Sequence, residues 1–280
     1  MRTKTTSSLL VLSCALLLAG CSPAAPEEPQ EEEEITLEDK YEESTITEAD
    51  VESDTVRWIC STYAIDTEYN GKEHGAIGGI LPKDKAAHRE DARNALATDW
   101  NIHSRDDVMP ILTAEAGNGQ REAYEQYAEE MKEEGLMALS EEELMESLPH
   151  NPDRYRKQAV YLAWKKYGIH GLDGWDYCRS LRLLGDCYIA GYVNLEECLG
   201  LSLPIAEALQ KQYDSWEGVA ESYLYGHQFW KQEPVDGESP THDFWEAYRR
   251  LSSMKDGPYS VPYDTVLTDT WTGCGDDEKA

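Results

Sequence analysis

The residues best placed for chemistry lie on one predicted helix, residues 175–188. Side chains three or four positions apart share a helix face, so Asp176 can pair with Arg179. Arg182 can pair with Asp186 in the same way. Two guanidinium groups in such a charged seam could bind a carboxylate or phosphate bidentately. The alternative is an ion-pair network that only orients helices, and we favour it because ligand binding also needs a concave pocket.

Apolar residues at helical spacing predict that this helix is part of the core. One stripe consists of Tyr177, Leu181, Leu184 and Tyr188. A second stripe consists of Tyr213, Trp216, Ala220, Tyr223, His227 and Trp230. Both patterns are typical of buried helix faces. They favour a hydrogen-bonded core role for His227 over metal binding.

Capping residues and prolines locate several helix ends. Ser104 and Ser140 each stand three residues before an acid, as in a capping box. Asp214 is predicted to cap a third helix, and Pro204 suits an early helical turn. Pro110 would lie inside the helix that begins at Ser104, where its missing N–H predicts a kink or an early end.

Composition divides the chain into segments. Helix signatures with little strand alternation predict a predominantly all-α, single multi-helix globular domain over residues 55–253. Residues 22–54 hold 14 acidic side chains and one lysine, a net charge of −13, which predicts a disordered and extended acidic tether. Thr241 is predicted to cap a short helix. We expect an irregular C-terminal tail over residues 254–280, with Trp271 as its only strong anchor.

The first 21 residues are typical of a bacterial lipoprotein. Arg2 and Lys4 precede an apolar run over residues 9–19 that is too short to span a bilayer, which predicts a signal peptide over residues 1–20. The following Leu-Ala-Gly-Cys resembles a lipobox and implies acylation of the Cys21 sulfur, with palmitate as an expected acyl group. The alternative is an ordinary cleaved signal in which Cys21 has no role.

The charge of the chain limits its partners. With 55 acidic and 25 basic residues, the formal net charge is −30. Such a chain repels phosphate backbones, so we predict no nucleic-acid partner. The expected partners are a membrane, through lipid on Cys21, and an envelope protein.

No sequence signature assigns catalytic residues. The chain has no G-x-S-x-G elbow, and Ser104 beside His103 is better explained as a helix cap. None of the seven histidines has a recognised metal-ligand spacing, so we predict no metal and no cofactor. A hydrolase would need carboxylates for acid-base work, with Asp176 or Asp186 as candidates.

The remaining cysteines do not form an obvious framework. After removal of the signal and acylation of Cys21, they are Cys60, Cys178, Cys187, Cys198 and Cys274. Their odd number excludes complete pairing in a monomer. Cys178 and Cys187 would lie too far apart on one helix to be joined. Cys60 and Cys274 could staple the two ends of the domain, or both could be free buried thiols.

Several short segments have a distinctive order and spacing. They are Trp100-Asn101-Ile102, Ser104-Arg105-Asp106, Gly174 to Arg179, Ala190-Gly191-Tyr192, Ser215-Trp216, Tyr223, Gly226, Phe229 and Trp230. Together they resemble the bacterial domain-of-unknown-function family 1266 over about residues 85–232. The resemblance implies a helical domain without an assigned activity. Pro110 departs from the expected helix, and the tail after Trp230 lies outside the resemblance.

These features predict a lipid-anchored protein on the extracytoplasmic side of a bacterial envelope membrane. The expected role of its helical domain is binding or scaffolding, because no residues with catalytic spacing are found. One alternative is an envelope hydrolase that uses carboxylate acid-base residues. Another is a small-molecule or peptide receptor that uses Arg179 and Arg182. The sequence does not rank these two alternatives.

Overall fold

The computed structural model describes residues 46, 53–269 and 271. These residues contain α-helices and short 3-10 turns and no strand, which confirms the all-α prediction. The helices are α1 (Asp54–Thr62), α2 (Ala64–Tyr69), α3 (Lys85–Trp100), α4 (Val108–Gly117), α5 (Arg121–Glu133), α6 (Glu141–Ser147), α7 (Asp153–Tyr167), α8 (Asp173–Ala190), α9 (Leu195–Gln212), α10 (Trp216–Lys231) and α11 (Pro240–Ser253). Cys21, Cys274 and nearly all of the acidic segment lie outside the described residues.

Both predicted capping boxes are present. Ser140 caps α6, and its hydroxyl accepts a hydrogen bond from the backbone N–H of Glu143. Ser104 forms a capping box before the 3-10 turn that leads into α4. The prediction for Asp214 was wrong, because Ser215 accepts from Gly218 N–H at the start of α10. Serine and aspartate are equally good caps, so composition alone could not choose between adjacent positions.

The predictions for the two prolines were both wrong. Pro110 lies in the first turn of α4, where its missing N–H has no intrahelical acceptor to lose, and the helix continues to Gly117. Pro204 lies inside α9 rather than in an early turn. Its ring removes the bond to the carbonyl of Gly200, an exposed residue whose carbonyl can turn to water.

Helix α8 is the centre of the fold and packs against α3, α4, α9 and α10. The Tyr177 to Tyr188 stripe is buried, as predicted. The second stripe is buried as far as His227, but Trp230 at its end is 47% exposed. A shorter layer of α5, α6 and α7 covers the other side of α10, where Tyr124, Met131 and Phe229 form a second apolar cluster.

The segment after α11 is irregular apart from one 3-10 turn, Pro258–Ser260. Trp271 is not the only residue through which this segment contacts the core. Trp58 Nε1 donates to the carbonyl of Tyr263 at 3.0 Å, and Trp216 Nε1 donates to that of Val261 at 2.7 Å. The expectation that Trp271 is the only anchor is therefore wrong, since buried indole N–H groups need acceptors and this segment supplies them.

The loop before α11 also differs from the prediction at its cap. Ser239, not Thr241, caps α11 by accepting from His242 N–H, and Pro240 takes the first helical position. Within the described part of the chain, no helix combines the length and apolar character needed to cross a membrane.

Candidate functional site

Arg182 is the centre of the predicted seam. Its Nη1 lies 2.8 Å from Asp186 Oδ1, as the helical spacing predicted. The same guanidinium reaches two neighbours that the sequence did not indicate. Its Nε donates to Asp66 Oδ2 on α2 at 2.7 Å, and its Nη1 donates to the carbonyl of Gly78 at 2.9 Å. Arg182 therefore ties α8 to α2 and to the turn after it.

Burial and charge oppose each other at this cluster. Burial disfavours the charged form of Arg182, but the carboxylates of Asp186 and Asp66 outweigh it and raise the pKa of the guanidinium. Burial raises the pKa of Asp186, against the opposing pull of Arg182. The guanidinium is thus a permanent cation whose Nε and Nη1 are already bound by protein acceptors.

Arg179 has a partner other than the predicted Asp176. Its Nη1 lies 2.5 Å from Glu115 Oε1 on α4. Its guanidinium carbon lies 4.5 Å from the ring centre of Trp100 and 4.8 Å from that of Trp175. Two indoles and one carboxylate therefore hold this arginine, an arrangement that planar guanidinium groups favour.

Asp176 joins the ends of two other helices. Its Oδ1 and Oδ2 accept from the backbone N–H of Gln120, at 2.9 and 3.1 Å, at the start of α5. Its Oδ2 also lies 3.5 Å from Arg121 Nε. Arg121 in turn donates to the carbonyls of Ala116 and Gly117 at the end of α4. A negative group at a helix start and a positive group at a helix end both suit the helix dipoles.

Gly119, in the turn between α4 and α5, makes this close contact with Asp176 possible. Its φ of 43° is in the left-handed region, which favours glycine. A Cβ at this position would also overlap the carboxyl group of Asp176. The turn can therefore approach α8 closely only because Gly119 has no side chain.

The carboxyl group of Asp176 has an unusually high pKa. Burial raises its pKa to about 7, although the Gln120 N–H and the Arg121 charge act in the opposite direction. A raised pKa is typical of catalytic acids. However, Asp176 is fully buried beneath the α4–α5 turn, with 0% of its surface exposed, so a substrate cannot touch it in this conformation. The arrangement favours the ion-pair alternative over acid-base catalysis.

Sequence reasoning missed the neighbours of Asp176 on its N-terminal side. His170 Nδ1 lies 2.8 Å from Asp173 Oδ2, and this contact raises the pKa of the imidazole. Asp173 is 3% exposed, and its Oδ1 lies 3.8 Å from Arg121 Nη1. The i, i+3 spacing of His170 and Asp173 was a signal that could have been used. The approach of Arg121 had no local signal.

The predictions for His227 and the helical cysteines were correct. His227 Nδ1 lies 3.1 Å from Thr241 Oγ1, and burial lowers the pKa of the imidazole to about 3, so it is neutral. The four buried cysteines, here meaning Cys60, Cys178, Cys187 and Cys198, form no disulfide with one another. Pairing of Cys60 with Cys274 stays untested, because Cys274 lies outside the described residues. Among residues 53–269, no group of three or more ligand-type side chains is arranged to hold a metal ion.

The fold and the seam define a helical domain organised around partly buried ion pairs on its central helix. The chain belongs to the DUF1266 family of proteins of unknown function, whose family model matches residues 95–263. This match confirms the family resemblance. It also reaches 31 residues beyond the predicted limit at 232, into the segment that packs on Trp58 and Trp216. No curated protein and no solved structure matches the chain significantly.

Proposed function

We propose that this protein is a lipid-anchored protein of the bacterial cell envelope. The observation that carries the proposal is the Leu-Ala-Gly-Cys sequence ending at Cys21, directly after a basic and then apolar segment. Acyl chains on Cys21 would anchor the protein, since two chains give stable membrane binding where one does not. The acidic residues 22–54 would keep the folded domain away from an anionic membrane surface.

We further propose that the helical domain is a binding or scaffolding module. Asp176, the carboxyl group with the raised pKa, is fully buried, and the seam arginines are bound by carboxylates of the protein itself. These contacts favour a rigid domain over a site that performs acid-base chemistry. They also disfavour a receptor that uses Arg179 and Arg182, because a ligand would have to displace Glu115 or Asp66.

Metabolic labelling with a clickable palmitate analogue tests the anchor. The expected result is labelling of the wild-type protein and partition into the detergent phase of Triton X-114. Cys21→Ser should abolish both. Cys14→Ser is the matched control, because Cys14 would be removed with the signal peptide, and it should leave labelling unchanged. Equal labelling of the Cys21→Ser variant, or recovery of the wild type in the cytosol, would contradict the anchor.

Crosslinking in intact cells tests the binding role. A membrane-permeant lysine crosslinker should give discrete adducts of the wild-type protein that mass spectrometry identifies as envelope proteins. The Cys21→Ser variant should lose these adducts if anchoring brings the partners together. Absence of any adduct with the correctly localised wild type would argue against scaffolding.

A further inference from the structure

A concave surface lies away from the seam, at the end of α8. It is a groove of about 560 Å³ that opens to solvent. Its walls come from α3, from the segment that precedes α4, and from Tyr192, two residues after the end of α8. The lining residues are Glu90, Arg93, Asn94, Ala97, His103, Ser104, Arg105 and Tyr192.

Two of the segments that carry the family resemblance meet at this groove. Arg105 Nη1 donates to the carbonyl of Tyr192 at 3.1 Å, and the Tyr192 hydroxyl donates to the carbonyl of His103 at 3.0 Å. Arg105 is also bound bidentately by Glu197 of α9. These bonds fix two walls of the groove, and Glu197 neutralises the charge of Arg105.

Arg93 is held in place but keeps part of its donor set. Its Nε donates to the carbonyl of Ala190 at 2.9 Å, where the end of α8 attracts a cation. Its guanidinium carbon lies 5.6 Å from the ring centre of Tyr192. Among the residues that the structure describes, no acceptor bonds its Nη1 or Nη2. A half-buried guanidinium oriented through Nε is suited to bind a carboxylate through these two groups.

Arg89 does not line the groove, but it brings a second positive charge beside Gly191, the neighbour of the lining residue Tyr192. A Cβ placed on Gly191 would lie 3.6 Å from Arg89 Nε and 3.9 Å from Arg93 Nη2, so both guanidinium groups border this glycine. Like charges four residues apart on a helix destabilise it. In the described part of the chain, Arg89 has no carboxylate partner that would relieve this repulsion. An anion between the two arginines would relieve it.

We propose that this groove binds an amino acid or peptide end through its free carboxylate, held by Arg93 and Arg89. The overall charge of −30 repels simple anions. A zwitterion avoids this cost, because its ammonium group can face Glu90, which lines the same groove. The inference rests on the proposed binding role of the domain and is independent of the lipid anchor.

Tetra-alanine and its C-terminal amide test the inference, with binding measured by saturation-transfer NMR on residues 21–280 carrying Cys21→Ser. We expect saturable, millimolar binding of the free acid and at least tenfold weaker binding of the amide. Arg93→Gln should weaken the free acid by about tenfold or more, which corresponds to about 1.4 kcal/mol. Arg93→Lys should give an intermediate loss, because lysine cannot bind bidentately.

Two further variants keep the test decisive. Arg249→Gln removes an equal charge from the exposed face of α11 and should bind like the wild type. Arg89→Gln removes an exposed side chain that caps nothing, so it should fold normally and weaken binding severalfold even if Arg93→Gln loses stability. No saturable binding, equal binding of acid and amide, or wild-type affinity in Arg89→Gln would overturn the proposal. Palmitate labelling would be unaffected by any of these results, so failure here and failure of the anchor are distinguishable.

Discussion

Replacing Asp176 by asparagine tests whether burial determines the protonation of this carboxyl group. Burial raises its pKa to about 7 in the folded protein, against an ordinary value of 3.8. Between these pH values the folded state retains a proton that the unfolded chain has released. The free energy of unfolding that Asp176 contributes is therefore fully present below pH 3.8 and is lost as the pH rises through 7.

The size of the effect follows from the two pKa values. Each unit of pKa difference corresponds to about 1.4 kcal/mol. Between pH 5 and pH 8 the wild type should lose about 2–3 kcal/mol of unfolding free energy relative to Asp176→Asn, because asparagine does not titrate. Asparagine can still accept from the Gln120 N–H, so the variant should fold.

Urea unfolding followed by tryptophan fluorescence and far-UV circular dichroism, at pH 5, 6, 7 and 8, measures this difference. Asp107→Asn is the control. Hydrogen bonds from the His103 backbone and from Ser104 lower the pKa of Asp107, so this carboxyl does not titrate between pH 5 and pH 8. The difference in unfolding free energy between Asp107→Asn and the wild type should therefore be constant over this range. A constant difference for Asp176→Asn would refute the argument from burial. Such a constant difference would mean that the Gln120 N–H and the Arg121 charge balance or outweigh burial.

Three further predictions concern the same helix and its surroundings. Gly119→Ala should lower the free energy of unfolding by about 2 kcal/mol or more, because it combines a positive φ with overlap on Asp176; wild-type stability in chemical denaturation would contradict this. Arg182→Met should cost about 2–4 kcal/mol of unfolding free energy at pH 8 and less at pH 5, because burial already raises the pKa of Asp186 and loss of the guanidinium raises it further. The same denaturation series at both pH values checks the sign. The four buried cysteines should resist iodoacetamide in the native protein and react with it in urea, because burial excludes the reagent and raises the pKa of Cys60 to about 11. Intact-protein mass spectrometry counts the adducts, and labelling of these four sites in the native protein would contradict the prediction.

Features governed by helical periodicity could be predicted from the sequence. The Ser140 capping box, the pairing of Arg182 with Asp186 and the buried position of His227 each depend on residues within one helix or next to it. The 3.6-residue turn fixes such neighbours regardless of what the helix packs against. The N-cap of α10 was predicted one residue too early, because aspartate and serine are equally favoured at this position.

The partners of the seam could not be predicted from the sequence. Asp176 accepts from Gln120, which is 56 positions away, and Arg179 pairs with Glu115, which is 64 positions away. In a chain with 55 acidic residues, composition offers many candidate partners for each arginine. The choice depends on which helices pack together and on how closely their backbones approach, as the α4–α5 turn does at Gly119.

The sequence by itself determined the helical class, the family, the positions of several helix starts and the face of α8 that is buried. The tertiary structure decided that Asp176 joins α4 to α5, that Trp230 lies partly in solvent and that the segment after α11 packs on the core. The physical reason is that local spacing sets which side chains share a helix face. Only the packing of separate helices determines what each face meets and how much water is excluded from it.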